Sequence, residues 1–139
     1  MSVGNATLDS DHKKLFELTV DIDSLYKARD TAAMSHMLKR LNACMDHHFL
    51  NELLFAHALN IPFEQHQIDH QNISTAIILT RREAGKDDAT ATYAIKHYAQ
   101  FLRKWLTKHI TDEDMQMKQV LQTRPYDFKI KGADACDCC

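Results

Sequence analysis

The chain has 139 residues, 45% of them apolar and 26% charged, with 3 Gly, 2 Pro and a formal net charge of −2. One domain of this size buries roughly two-thirds of its unfolded surface, so it builds a core without disulfides or a partner. Scattered Lys and Arg exclude the basic patch of a nucleic-acid-binding protein, and no apolar run approaches the ~20 residues of a membrane span. The start, Met1 to Asp11, lacks the basic flank and apolar stretch of a signal peptide, and a cytoplasmic location is expected.

Cysteine usage agrees, because Cys44 stands alone and Cys136, Cys138 and Cys139 crowd the last four positions. That is no disulfide framework. The unusual count is histidine, with 9. Gly4, Pro62, Gly85, Pro125 and Gly132 are all the helix breakers in the chain, and they leave long uninterrupted stretches between them.

The first predicted helix spans about 10–29, behind a cap at Asp9 or Ser10, with His12, Leu15, Thr19, Ile22 and Tyr26 recurring every three or four residues. The second spans about 32–58 after Asp30 and Thr31, carried by Met34, Leu38, Leu41, Met45, His48, Glu52, Phe55 and Leu59. Asn60-Ile61-Pro62-Phe63 forces a turn. The third, about 63–84, carries His66, His70, Ile73, Ile77, Thr80 and Ala84 and is stopped by Gly85. Lys86-Asp87-Asp88 supplies loop and cap, and Ala94, Tyr98, Phe101, Trp105 and His109 mark the fourth, about 89–121. At 1.5 Å per residue these helices are roughly 30–50 Å long, and their connections are short. The economical arrangement is all-α, an up-down-up-down antiparallel four-helix bundle over residues 1–123. An irregular Cys-rich tail, 124–139, follows. Its vicinal thiols suit a soft metal or redox chemistry, but the plain expectation for a terminus is disorder.

The apolar stripes carry polar residues where an ordinary bundle places Leu. His12, His48, Glu52, His66, His70 and His109 fall in register with apolar neighbours, burying five imidazoles and a carboxylate. One buried histidine is ordinarily satisfied by a carbonyl. Six such groups without partners cost several kcal/mol in sum, roughly, and a metal centre satisfies them at once. His48 with Glu52, and His66 with His70, are i,i+4 pairs that reach a site from one helix face. His47 competes with His48, but its register through Arg40, Cys44 and Asn51 is more polar. The fourth helix offers a further carboxylate within His109-Ile110-Thr111-Asp112-Glu113-Asp114. Spacing favours Glu113, at i+4 from His109, over Asp114, about 140° round an ideal helix.

These segments resemble the hemerythrins, specifically the single-domain bacterial ones, over Leu8 to about Leu121. The resemblance rests on Asp9-Ser10-Asp11-His12-Lys13-Lys14-Leu15-Phe16, His48-Phe49-Leu50-Asn51-Glu52, His66-Gln67-Ile68-Asp69-His70 and Trp105-Leu106-Thr107-Lys108-His109-Ile110-Thr111-Asp112-Glu113-Asp114, in that order. It implies two non-heme irons joined by an oxygen atom and two carboxylates. Against the spacing, it selects Asp114, which must swing across or sit where the helix loosens by about one residue, as in a π-bulge. By resemblance Glu52 and Asp114 are the bridges, His66, His70 and His109 ligate a saturated iron, and His12 and His48 ligate an iron with an open position. Leu15, Phe49, Trp105, Leu106 and Ile110, one to four residues from ligands, are candidates for an apolar oxygen pocket.

The implied function is reversible dioxygen binding, for oxygen transport, storage, delivery or sensing, with a recipient protein as the partner in delivery. A diiron enzyme acting on peroxide or nitric oxide, or as an oxidase, would share these ligands. A histidine phosphotransfer bundle needs only one exposed His and leaves the other positions unexplained. Glu-x-x-His pairs and His-Glu-x-x-His are both absent, which removes the ferritin-like and zinc-protease patterns. Leu53 replaces a second acid common in the family, and Met117 replaces a Tyr that often follows the last carboxylate by three. His36, His47, His57 and His97 are left over as surface or helix-flank residues, and His57, five residues past Glu52, is a candidate for a channel mouth.

Overall fold

The computed structural model describes residues 1–84 and 88–136, and every regular element among them is helical. The expected stop at Gly85, the loop at Lys86 and Asp87, the side chains of Ile77 and Ala84, and Cys138 and Cys139 lie outside the described residues. Helix α1 runs Ala6–Lys27, α2 Thr31–Ala58, α3 Glu64–Ala84 and α4 Asp88–His109. A π-helical turn, Ile110–Asp114, leads without interruption into α5, Met115–Leu121.

The start of α1 corrects the expected cap. Asn5, not Asp9 or Ser10, caps the helix, its side-chain oxygen accepting from the amides of Thr7 and Leu8. Gly4 precedes it at φ 87, a left-handed conformation open to glycine. Asp9 instead holds the N-terminal segment, accepting from the Val3 amide at 2.8 Å and from Ser2 Oγ. Asp30 caps α2 through the Ala33 amide, as expected.

Helices α1 and α2 end the same way. The amides of Arg29 and Asp30 bond Tyr26 O and Leu25 O, and those of Asn60 and Ile61 bond His57 O and Ala56 O. Each is a Schellman closure around a residue of positive φ, Arg29 at 57 and Asn60 at 54. These closures satisfy the last carbonyls and reverse the chain within a few residues, and Pro62 prevents α2 from continuing.

The core is continuous along the bundle. Leu15, Ile22, Met34, Leu41, Met45, Phe55, Leu102, Leu106 and Ile110 are fully buried. On α4 the stripe differs from expectation: Phe101 is 50% exposed, and the buried face runs through Ile95, Tyr98, Ala99, Leu102 and Leu106. Arg103 fastens α4 to α1, donating to Asp23 Oδ2 at 2.7 Å and to Thr19 O at 3.0 Å.

The tail also departs from expectation, since it is irregular but docked as far as Cys136. Asn5 Nδ2 donates to Phe128 O at 2.9 Å, the Ala6 amide bonds Tyr126 O at 2.8 Å, and Ala133 is buried. Cys136 is disulfide-bonded. The tail carries its own apolar anchors, with Phe128 edge-on to Phe55, and these provide the burial a disordered end lacks.

Candidate metal centre

His12, His48, Glu52, His66, His70, His109 and Asp114 are all buried, none more than 5% exposed, and they converge from four helices and the π turn. The i,i+4 pairs behave as helical geometry requires. His48 Nε2 lies 3.5 Å from Glu52 Oε2, and His66 and His70 present Nε2 atoms 3.4 and 3.0 Å from the same oxygen.

The π turn sets which carboxylate of the fourth helix faces the cluster. A π turn widens the ring to i→i+5, which brings Asp114 onto the face of His109. Asp114 Oδ1 lies 3.0 Å from His66 Nε2 and 3.1 Å from His109 Nε2, while Oδ2 faces His12 Nε2 at 3.0 Å. Glu113 is half-buried at the rim, and Asp112, not Glu113, pairs with Lys108.

The donors crowd more closely than hydrogen bonding among themselves can satisfy. His109 Nε2 is 3.0 Å from His66 Nε2 and 3.1 Å from His70 Nε2, and three ring nitrogens pointing together cannot all be paired. His12 Nε2, His48 Nε2 and both carboxylate oxygens of Glu52 and of Asp114 make no well-aligned hydrogen bond, despite these short approaches. Such buried atoms are costly unless a cation sits among them.

Charge is tuned accordingly. Burial opposes ionisation of Glu52, and Asp114 lies nearby, yet His48, His66 and His70 outweigh both and hold it down at about 2. Burial likewise opposes the Asp114 carboxylate, which His109, His12 and His66 keep well below the usual range. For His48, burial is overcome by Glu52, Asp11 and Asp114, and its pKa rises to about 9. His66 also reaches about 9, its burial outweighed by Asp114 and Glu52. Burial wins at His70, whose pKa falls.

The donors form two overlapping groups: Glu52, His66, His70 and His109, and His12, His48, Glu52 and Asp114, with the atoms of each within 4.8 Å of one another. Glu52 belongs to both, and the two oxygens of Asp114 face opposite groups. The family model of the Hemerythrin HHE cation binding domain matches residues 3–121. The chain belongs to the hemerythrin family. No curated protein and no solved structure matches it significantly.

Imidazole and carboxylate donors in this number suit metal cations, in keeping with a hemerythrin cation-binding domain. Of the five apolar pocket candidates, Leu15, Leu106 and Ile110 are fully buried and Phe49 nearly so, while Trp105 is half-buried. Phe49 stacks on His70 with ring centres 3.8 Å apart, and Trp105 stacks on His109 at 4.4 Å. Phe49 and His70 border an open cavity of about 360 Å³ between α2 and α3. Where hemerythrins often carry a further acid and a Tyr, Leu53 packs against the core and Met117 is buried. His36, His57 and His97 are exposed, and His47 is half-buried.

Two residues that surround the site went unassigned from the sequence. Asp11 is completely buried, with Oδ2 3.4 Å from His48 Nδ1 and 2.8 Å from Asn51 Nδ2. Asp11 stood inside the hemerythrin-like motif but off the apolar stripe. Asn51 lies in the hemerythrin-like segment His48-Phe49-Leu50-Asn51-Glu52 and in the polar register of His47, and its place beside Glu52 is the available signal.

Proposed function

We propose that this hemerythrin domain reversibly binds dioxygen at two iron ions, as a carrier, store or sensor in the cytoplasm rather than as an enzyme. The observation carrying this reading is the pair of overlapping donor groups that share Glu52 and are spanned by Asp114. When bound, the ferrous pair supplies the two electrons that dioxygen takes up and returns on release. His66, His70 and His109 would hold one iron, and His12 and His48 would hold the other. Asp11 orients His48 by accepting at Nδ1, leaving Nε2 directed at the centre. Leu15, Phe49, Trp105, Leu106 and Ile110 would limit the access of water and outside acid to the centre, which reversible binding requires.

The short connections support an up-down-up-down order for the helices of residues 1–123, with 124–139 as an appended tail. Among the described residues no helix is long and apolar enough to cross a membrane. The test is an optical spectrum of the reduced protein before and after air, then after deoxygenation, on protein assayed for iron. Two irons per chain and a spectral change that reverses support dioxygen binding. Steady consumption of reductant or irreversible bleaching overturns it in favour of a diiron oxidase or peroxide-consuming enzyme, and one zinc with no anaerobic iron uptake overturns the diiron centre itself.

A further inference from the structure

Beyond residue 121, where the family match ends, the chain turns back along α1 and reaches the outer side of the metal centre. Its last described residues touch the groups that surround His48. The Cys136 amide donates to Asp11 Oδ1 at 2.7 Å. Asp134 O accepts from Asn51 Nδ2 at 2.7 Å and from His47 Nε2 at 2.5 Å. Asn51 and His47 lie on α2 on either side of His48, and Asn51 also donates to the other oxygen of Asp11. Ala133, 1% exposed, seats the segment.

We propose that residues 133–136 form a strap that positions His48 through Asp11, so that the tail sets how firmly the centre holds its metal. The inference rests on the reading of the centre as a metal site. A buried carboxylate that accepts from an imidazole Nδ1–H fixes the ring and its tautomer, and losing such a partner commonly costs 10–100-fold in metal affinity. Here Asp11 is itself held on one oxygen by the strap amide and on the other by Asn51, which the strap also engages. Releasing the strap leaves Oδ1 without this donor inside the protein, where an under-satisfied carboxylate turns toward another donor and draws His48 out of line. Asp11, Asn51 and Cys136 are positioning residues, since none is among the converging donors.

Proline at 136 removes the amide donor, whereas alanine keeps it; both lose the disulfide, so the difference between the two reports the amide alone. The experiment loads the full-length protein with iron(II) or cobalt(II) and follows metal release to an excess of chelator, together with the cobalt ligand-field spectrum. Cys136→Pro is expected to release metal about tenfold faster and to shift the spectrum. Cys136→Ala, which loses the disulfide but keeps the amide bond to Asp11 and the seating of Ala133 and Asp134, is expected to stay within about twofold of the parent. In an Asp11→Asn background, Cys136→Pro is expected to add nothing further, as residues acting through one group are non-additive. His47→Phe breaks the strap's contact at Asp134 without proline and is expected to speed release in the same direction.

Cys136→Pro and His47→Phe both releasing metal at the parent rate would overturn the strap. So would full additivity with Asp11→Asn, or equal effects of Cys136→Pro and Cys136→Ala. A parent protein that holds no metal at all would instead overturn the metal-site reading on which the strap rests.

Discussion

His109 and Asp114 are five residues apart, yet His109 Nε2 and Asp114 Oδ1 lie 3.1 Å from each other. On α2 the corresponding pair, His48 and Glu52, needs only the i,i+4 spacing of a regular helix. The fourth helix reaches the same relationship by widening one turn, Ile110–Asp114, into a π-helix. Such turns inside α-helices occur frequently at functional sites. The turn places a shorter carboxylate between the two donor groups and leaves Glu113 at the rim.

That placement predicts opposite outcomes for neighbouring substitutions. Asp114→Asn keeps the shape but removes a buried charge facing three imidazoles, and it should lose metal or abolish the bridged-site spectrum. Glu113→Gln should keep both. Metal analysis and optical spectra of the two purified variants check this, and the reverse pattern would move the carboxylate role to Glu113.

Metal removal should lower stability while leaving most of the helix in place. The donors come from every long helix and bind only when the chain is folded, so ligation adds about 4 kcal/mol at free metal a thousandfold above Kd. For a domain of this size that corresponds to roughly 10 °C or more in the melting midpoint. Circular dichroism should show similar helix in apo and loaded protein at 20 °C, roughly, and clearly separated melts; coincident melts would count against a clamp across the helices.

Phe49 joins the core to the centre, packing face to face with His70 and edge-on to Trp105 at 6.2 Å. Phe49→Ala should cost about 3 kcal/mol in urea unfolding, the lower end for an aromatic truncation because the side chain borders an open cavity. It should also speed oxidation of the reduced centre by admitting water. An unchanged oxidation rate would show that Phe49 contributes packing alone.

Cys44 provides a pH marker that is not itself one of the converging donors. Burial, with Asp11 adding to it, pushes its thiol up to about 12. Its folded value therefore lies above the unfolded value near 9.0. Below pH 9, roughly, the thiol is neutral in both states and stability is unaffected; as pH rises further the unfolded chain ionises first and stability falls, by at most about 1.4 kcal/mol per unit. Urea midpoints of the parent and Cys44→Ala across this range test it, and the variant should show the shallower decline.

What the sequence determined by itself is what local geometry repeats. Apolar residues every three or four positions located the helices, and the same period put His12, His48, Glu52, His66, His70 and His109 on buried faces, because a regular helix maps spacing directly onto direction. The turn at Asn60-Ile61-Pro62 was equally legible, since Asn tolerates positive φ and Pro cannot extend a helix. Other features depended on partners distant in the chain. Periodicity alone favoured Glu113, and only the folded structure shows that residues 110–114 widen to present Asp114 to His12 and His66. Phe101 matches the helical rhythm but faces outward, because the buried face of α4 is set by where α1 and α3 lie against it. Asp9 has the chemistry of a cap but serves Val3, Ser2 and Tyr126, because Gly4 and Asn5 start the helix earlier. The tail carries no periodicity at all; its position follows from hydrogen bonds such as Cys136 to Asp11, across 125 residues of sequence, which no local pattern encodes.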